Sequence, residues 1–226
     1  MNPISVNEFL LRLPFWDKLS PDTQKLLQEH TQKIRYTAGE TVASADDCLG
    51  ILFVLDGTLR VFLLSEDGKE ATIYRLHPED VCVLSASCLI SAITFDVQID
   101  AETDCEAFLI PSRILSSLML DNIYVENYVY RLTTEHFSRV ITAMERIFFL
   151  TLKQRIAAFL IDESARQKTS YLAFTQEQLA RSIGSAREAV SRTLKQMTKE
   201  GSLEVARGGI HILDKSLLYQ ELSHTT

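Results

Sequence analysis

Two periods of hydrophobic residues divide this chain. Up to about residue 110, apolar positions come in short runs: ILFVL at 51–55, TLRVFLL at 58–64, ATIYRL at 71–76, ITFDVQI at 93–99 and CEAFLI at 105–110. Short runs rich in β-branched and aromatic residues read as strands. Gly39, Gly50, Gly57 and Gly68 punctuate them, and no further glycine occurs until Gly184. With DG and EDG turns between the runs, the pattern predicts an antiparallel sandwich or barrel over roughly residues 30–111.

From Pro111 the period becomes helical. Tyr130, Thr134, Phe137, Ile141, Met144 and Phe148 recur at spacings of 4, 3, 4, 3 and 4, the seam of a coiled coil. Such a stripe either packs on its own domain's core or meets the same helix of a second copy. The second alternative is the stronger expectation: a parallel dimer helix over 122–149.

The segment FTQEQLARSIGSAREAVSRTLKQMTKEGSLEVARGGIHIL predicts a helix-turn-helix. Thr175 with Gln178, and Ser185 with Glu188, each have capping-box spacing, so each helix has its own start signal. Ala180 is small where the helices approach, Gly184 suits the turn, and Ile183, Val190 and Leu194 supply an apolar face. Gly201 offers a stop, and LEVARGGIHIL reads as two short strands around an Arg-Gly-Gly turn, completing a winged helix-turn-helix. The expected fold class is thus α+β, divided into 1–121 (an effector-sensing β domain with N-terminal helices), 122–149 (the dimerisation helix) and 150–226 (the DNA-binding domain).

Composition changes the picture in one respect. With 46% hydrophobic and 23% charged residues the chain is globular, and a net charge of −7 taken alone argues against nucleic acid. The charge is unevenly distributed, however: 12 basic against 22 acidic residues in 1–149, and 11 against 8 in 150–226. An acidic part joined to a mildly basic part suggests two tasks in one chain. The start MNPISVNEFLLRL lacks the basic lead and long apolar stretch of a signal peptide, and no apolar run is long enough to cross a membrane. A cytoplasmic protein with no membrane partner is expected, its four cysteines reduced.

The first turns of a recognition helix point at base edges. Arg187, Glu188 and Arg192 project from one side of the second helix. Arginine donates bidentately to guanine and glutamate accepts from cytosine, although Glu188 also has a capping duty to perform. Thr175 and Ser191 complete the candidate contacts, with Ser185, Lys195, Lys199 and Arg207 assigned to phosphates or to solvation.

At these residues the sequence resembles the Crp/Fnr family of one-component regulators, over nearly the whole chain. The resemblance is carried by AGETVASADDCLGILFVLDGTLRVFLLSEDGKEATIYRLHPEDV as a double-stranded β-roll like that of cyclic-nucleotide-binding domains, by the long helix, and by SAREAVSR as the recognition helix. It implies a homodimer acting on transcription, with RNA polymerase as a partner and a two-fold operator. Arg187, Glu188 and Arg192 occupy the reading positions of the cyclic-AMP receptor type; Glu188, Ser191 and Arg192 match the E-x-x-S-R of the fumarate-nitrate type. The resemblance therefore implies inverted-repeat half-sites in double-stranded DNA with a TGA core.

The effector segment departs from the family. Members that bind a cyclic nucleotide carry a Gly-Glu pair after the turn and an Arg-Ser or Arg-Thr pair for the phosphate; this chain has HPEDVCVLSASCLISAITFDVQID. Glu79 stands at the turn glycine, no arginine occurs between Arg75 and Arg113, and Phe95 and Asp96 fall where the phosphate pair belongs. A carboxylate there repels a phosphodiester by about 4 kcal/mol at ~4 Å, which argues against cyclic AMP or cyclic GMP. The iron–sulfur cluster of other members is excluded, since residues 1–47 hold no cysteine. Haem, with His77 as ligand and Cys82 as a second, is an alternative.

The remaining chemistry is that of thiols. Cys82 and Cys88 bracket the effector segment and Cys48 precedes a strand of the same roll, with Ser85 between the first two. Six residues apart on a helix, Cys82 and Cys88 would face different ways; if Cys82 ends a strand, the chain can fold back toward disulfide spacing. Thiol oxidation or sulfur chemistry then competes with plain buried wall, since cysteine is among the most buried residue types. Two other classes compete with an effector-gated regulator. A cyclic-nucleotide-type module acting through protein partners leaves the winged helix unexplained. A cysteine enzyme lacks a convincing base, because His77 lies in a turn and His136 on the helix.

Overall fold

The computed structural model describes residues 4–44, 47–68, 70–83, 85 and 97–223. They divide into two compact units, 1–64 with 73–140 and 65–72 with 141–226. The elements in chain order are α1 Val6–Leu10, α2 Pro21–His30, β1 Gln32–Tyr36, β2 Thr41–Ala43, β3 Gly50–Asp56, β4 Leu59–Leu64, β5 Glu70–Leu76, β6 Val81–Cys82, β7 Gln98–Ala101, β8 Cys105–Pro111, α3 Ser112–Asp121 and α4 Ile123–Phe149. There follow α5 Leu152–Gln167, β9 Tyr171–Leu172, α6 Gln176–Ser182, α7 Arg187–Lys199, β10 Leu203–Ala206, β11 Gly209–Ile212 and α8 Lys215–Ser223. The class is α+β, as the periodicity predicts.

The β domain consists of two four-stranded sheets, ordered β1-β8-β3-β6 and β2-β7-β4-β5. Leu52, Val54, Leu59, Val61, Ile99, Ala101 and Ala107 form one core. Phe53, Phe108 and Ile110 project into a second, against Phe9, Trp16 and Leu27 of the N-terminal segment and Leu115, Val125, Val129 and Leu132 beyond it. The β1-β8-β3-β6 sheet is therefore buried on both faces, which is why β3 reads as the unbroken apolar run ILFVL rather than alternating. Strands β1 and β2 escape the sequence reading for the opposite reason. β1 is an edge strand of polar composition, and its Lys33 and Arg35 reach Glu106 of β8 at 2.7 and 2.6 Å. Of the expected strand at 93–99, residues 93–96 lie outside the described residues, and β7 takes up the remainder. Gly57, between β3 and β4, has φ +82°, and a Cβ there would stand 2.1 Å from the Asp104 carbonyl oxygen.

Asn122 starts α4, its Oδ1 accepting from the backbone N–H of Tyr124 at 2.9 Å. One stripe of α4, at Val125, Val129, Leu132 and His136, is buried. The seam predicted from the sequence lies next to it: Tyr130, Phe137, Ile141, Met144 and Phe148 are exposed large apolar side chains, Phe148 by 71%, and Thr134 is exposed among them. The seam is thus not the stripe that packs on this chain's own core. Among the described residues no helix is long and apolar enough to cross a membrane.

In the second unit, Ile156, Leu160, Leu172, Leu179, Val190, Leu194, Met197, Leu203, Ile210 and Leu218 close one core beneath a three-stranded sheet ordered β10-β11-β9. Lys153 of α5 joins Glu200 and Glu221 at 2.9 and 2.7 Å. The wing strands and the glycine stop at Gly201 fall where expected; the two-residue β9, too short to show a period, was not foreseen.

The turn between β5 and β6 stores strain. Asp80 N–H donates to His77 O and His77 N–H to Asp80 Oδ2, both at 2.9 Å, with Pro78 second and Glu79 third in the turn. Glu79 has φ +78°, the conformation that favours glycine at this position. A side chain there costs roughly 1–2 kcal/mol, so Glu79→Gly is expected to raise the urea midpoint of the N-terminal unit, a net gain of roughly 0.5–1 kcal/mol after the added chain entropy; an unchanged or lowered midpoint contradicts this.

Candidate nucleic-acid interface

Helix α6 begins as its sequence dictates: Thr175 accepts from Gln178 N–H at 3.1 Å while the Gln178 side chain accepts from Thr175 N–H at 2.8 Å. The turn passes through Gly184 at φ +61°, and Ser185 N–H donates to Ala180 O at 3.0 Å. Here the structure corrects one expectation. The second capping box does not form; α7 starts one residue later than that box requires, with Ala186 at the N-cap and no side-chain cap. Because Gly184 and Ser185 are committed to closing the turn, the helical conformation begins only at Arg187. Glu188 is therefore free of the capping duty that the sequence assigned to it.

What remains on α7 is an unusual charge distribution. Arg187, Glu188, Arg192 and Lys195 are exposed, and among the described residues none makes an ion pair or side-chain hydrogen bond. Arg181 and Lys153 of this unit are paired by contrast, Arg181 with Glu177 at 2.9 Å and Lys153 with two glutamates. Arg187 also sits in the first turn, against the positive end of the helix dipole, a placement that costs stability unless an external anion balances it. Arg187, Glu188, Ser191 and Arg192 line one concavity of about 390 Å³ together with Gln176. A second, of about 440 Å³, runs from Thr175, Gln176 and Arg187 to Gly208 and Gly209 of the wing. Gln176 lines both, and sequence reading missed it; its place directly after the α6 cap, facing the start of α7, is the signal that would have found it. Lys195 lies one turn beyond Arg192, Ser185 is half-buried at the turn, and neither lines these concavities. A winged helix-turn-helix with these side chains turned outward is built to meet a polyanion with readable edges.

The effector candidates do not converge in the same way. Cys82 ends β6 opposite Leu52, fully buried as a free thiol among core residues. The Cys82–Cys88 disulfide allowed by the spacing therefore does not form, since Cys82 is consumed as core wall. Cys48 is disulfide-bonded, against the expectation that all four cysteines are reduced. Cys105 is another buried free thiol, pushed up to about 11 by burial and then by Asp56 and Glu106. Ser85 Oγ donates to the carbonyls of Gly50 and Cys82 at 2.6 and 3.1 Å, so this hydroxyl serves the backbone. His77 is the first residue of the strained turn, its Nδ1 3.3 Å from Thr58 Oγ1. Cys88, Phe95 and Asp96 lie outside the described residues.

This arrangement defines a class, a DNA-binding regulator with a winged helix joined to a β-roll. Residues 154–221 match the family model of the Crp-like helix-turn-helix domain, and residues 33–122 that of the cyclic nucleotide-binding domain. A crystal structure described as a candidate transcriptional regulator of the Crp/Fnr family, from Eubacterium rectale, is 36% identical with a TM-score of 0.89, covering 93% of this chain and 98% of that one. The nitrogen fixation regulation protein FixK of Bradyrhizobium diazoefficiens is 23% identical over 81% of this chain and 78% of its own length. The cAMP-activated global transcriptional regulator Vfr of Pseudomonas aeruginosa is 23% identical over 79% and 88%. The chain belongs to the Crp/Fnr family of DNA-binding transcriptional regulators, and the matched relatives are regulators rather than enzymes.

Different costs follow for the two helix starts. Thr175→Ala removes a formed cap and is expected to destabilise the C-terminal unit by about 1 kcal/mol. Ser185→Ala, which removes none, is expected to stay within ~0.5 kcal/mol of the parent. Denaturant titration of both variants checks the pair; equal losses would restore the second capping box.

Proposed function

We propose that this regulator acts as a homodimer gated by an effector in its N-terminal unit, and reads an inverted-repeat operator with TGA half-sites through α7. The division into 1–121, 122–149 and 150–226 then corresponds to sensing, pairing and reading. The observation that carries the proposal is the group of unpaired side chains Arg187, Glu188 and Arg192 on the outward first turns of α7. Thr175, Ser185, Ser191 and Lys195 are assigned to phosphates and to flanking contacts. Pairing is assigned to Tyr130, Thr134, Phe137, Ile141, Met144 and Phe148, an apolar stripe that a second α4 would cover. Effector binding would shift the population of α4 arrangements and with it the separation of the two reading helices. Such a protein works in the cytoplasm, with RNA polymerase as its downstream partner.

Arg192→Ala is expected to weaken binding to the operator by ten-fold or more, given roughly 1–3 kcal/mol per bidentate base contact, with the dimer intact by sedimentation. Electrophoretic shifts on the TGA repeat and on a scrambled core, at matched salt, measure this. An affinity indifferent to the core, or to Arg192, overturns the assignment.

Cyclic AMP, which the Pseudomonas relative's name gives as its activator, is not proposed here, because no arginine stands between Arg75 and Arg113 to neutralise a phosphate. A thiol or redox signal is the better-supported effector, and Cys48 in a disulfide is the observation that favours it. Operator affinity is expected to differ between oxidised and reduced protein, and Cys48→Ser to abolish that difference while Cys105→Ala retains it. Affinity independent of redox state removes the thiol reading and leaves the DNA-binding one untouched.

A further inference from the structure

The exposed seam of α4 runs further toward the start of the helix than Tyr130. Asn127 lies three residues before it and Ile123 four before that, and both are exposed. In heptad terms Asn127, Thr134, Ile141 and Phe148 occupy the a positions, and Ile123, Tyr130, Phe137 and Met144 the d positions. Only Asn127 and Thr134 carry a hydrogen-bonding group at the end that would face a partner helix without an aromatic ring, and the structure treats them differently. Thr134 Oγ1 donates to the Tyr130 carbonyl at 3.0 Å, so its hydrogen is already placed within the helix. The Asn127 amide makes no hydrogen bond among the described residues. Covering the seam strips that amide of water, and a buried amide needs a partner from whatever covers it.

The flanking charges follow the same frame. Glu126 falls at a g position and Arg131 at the e position five residues on. In a parallel pair of heptad helices, the g residue of one copy stands beside that e residue of the other. In an antiparallel pair, g meets g and e meets e. Glu126 makes no ion pair among the described residues. Arg131 is held only loosely, 4.0 Å from Glu135 on the same helix with both side chains exposed.

We infer that Asn127 sets the register of the α4 pair: it faces Asn127 of a second, parallel copy, amide N–H to amide oxygen, with Glu126 of each copy beside Arg131 of the other. The inference rests on the homodimer reading and specifies the alignment that reading leaves open. The apolar layers cannot choose it, because a slip by one heptad still sets Tyr130 against Phe137 and Ile141 against Phe148. That slip brings Asn127 against Thr134, whose hydroxyl has no hydrogen left for the amide oxygen. An antiparallel pairing that overlaps the whole seam sets Asn127 against Met144. Only the aligned parallel pair places an amide, with its donor and its acceptor, opposite another amide. A single polar a layer of this kind fixes alignment at some cost in stability.

Full-length Asn127→Asp, full-length Asn127→Lys and their equimolar mixture are compared with the parent by sedimentation equilibrium near neutral pH. Each variant alone is expected to dimerise about ten-fold more weakly, since like charges then face each other, and the mixture to recover to within about three-fold of the parent as a mixed dimer. Glu126→Arg and Arg131→Glu form an independent pair, each expected to be about three-fold weaker alone and to recover when mixed. Phe137→Ser reports on the seam whatever its register, and is expected to weaken the dimer by roughly ten-fold or more. Position-127 variants that associate like the parent, or a mixture no tighter than its components, overturn the inference. So does a Glu126→Arg and Arg131→Glu mixture that fails to recover. If Phe137→Ser still weakens the dimer in those cases, the pairing helix stands and the register alone fails. A parent that sediments as a monomer overturns the homodimer reading, and the register with it.

Discussion

Helix α4 carries two apolar stripes roughly 100° apart on its surface, and the architecture turns on how they are used. Val125, Val129 and Leu132 belong to the core that also receives Phe53 and Phe108 from the doubly buried sheet. Once that stripe is committed, Tyr130, Phe137 and Ile141 necessarily face outward. A helix cannot turn one stripe inward without presenting the other. The sequence spacing of 4 and 3 is common to both stripes, so periodicity alone could not say which belonged to the chain's own core.

The same helix bears the polar atoms through which the roll is held. His136 continues the buried stripe and meets the Val81 carbonyl, while Arg139 one turn further meets Asp80. Both contacts fall on the short stretch that follows the strained Glu79 turn. A left-handed glutamate is retained in that turn although glycine would be cheaper, and β6, which follows it, pairs with β3 at Leu52 and Phe53. Polar joints of this kind hold two packed elements in one register. They also make that register sensitive to anything that competes for the same atoms.

In the C-terminal unit the chemistry is decided by what is left unpaired. Lys153 and Arg181 find carboxylates within the unit, while Arg187, Arg192 and Lys195 find none among the described residues. The missing second cap adds to this, since it leaves Glu188 without a structural task. A carboxylate beside two arginines that do not bond it makes sense on a surface that meets donors as well as phosphates.

The sequence by itself determined the class, the strand-rich first half, the long helix, the first capping box, the turn at Gly184 and the wing. These are local features, written in periods and caps that depend on a few neighbouring residues. Arg187, Glu188 and Arg192 were legible for the same reason, because helical spacing alone puts them on one side. Tertiary structure decided the rest. Whether Cys82 is wall or sensor depends on the strand opposite it, and that strand is Leu52, thirty residues earlier in the chain. That Glu188 caps nothing depends on where the turn ends, and that Gln176 lines one concavity with Arg187 and Arg192 depends on how α6 crosses α7. The pairing of His136 with Tyr74 joins residues 62 positions apart, and no period or motif encodes it, because burial and hydrogen-bond partners are set by chain segments that only folding brings together.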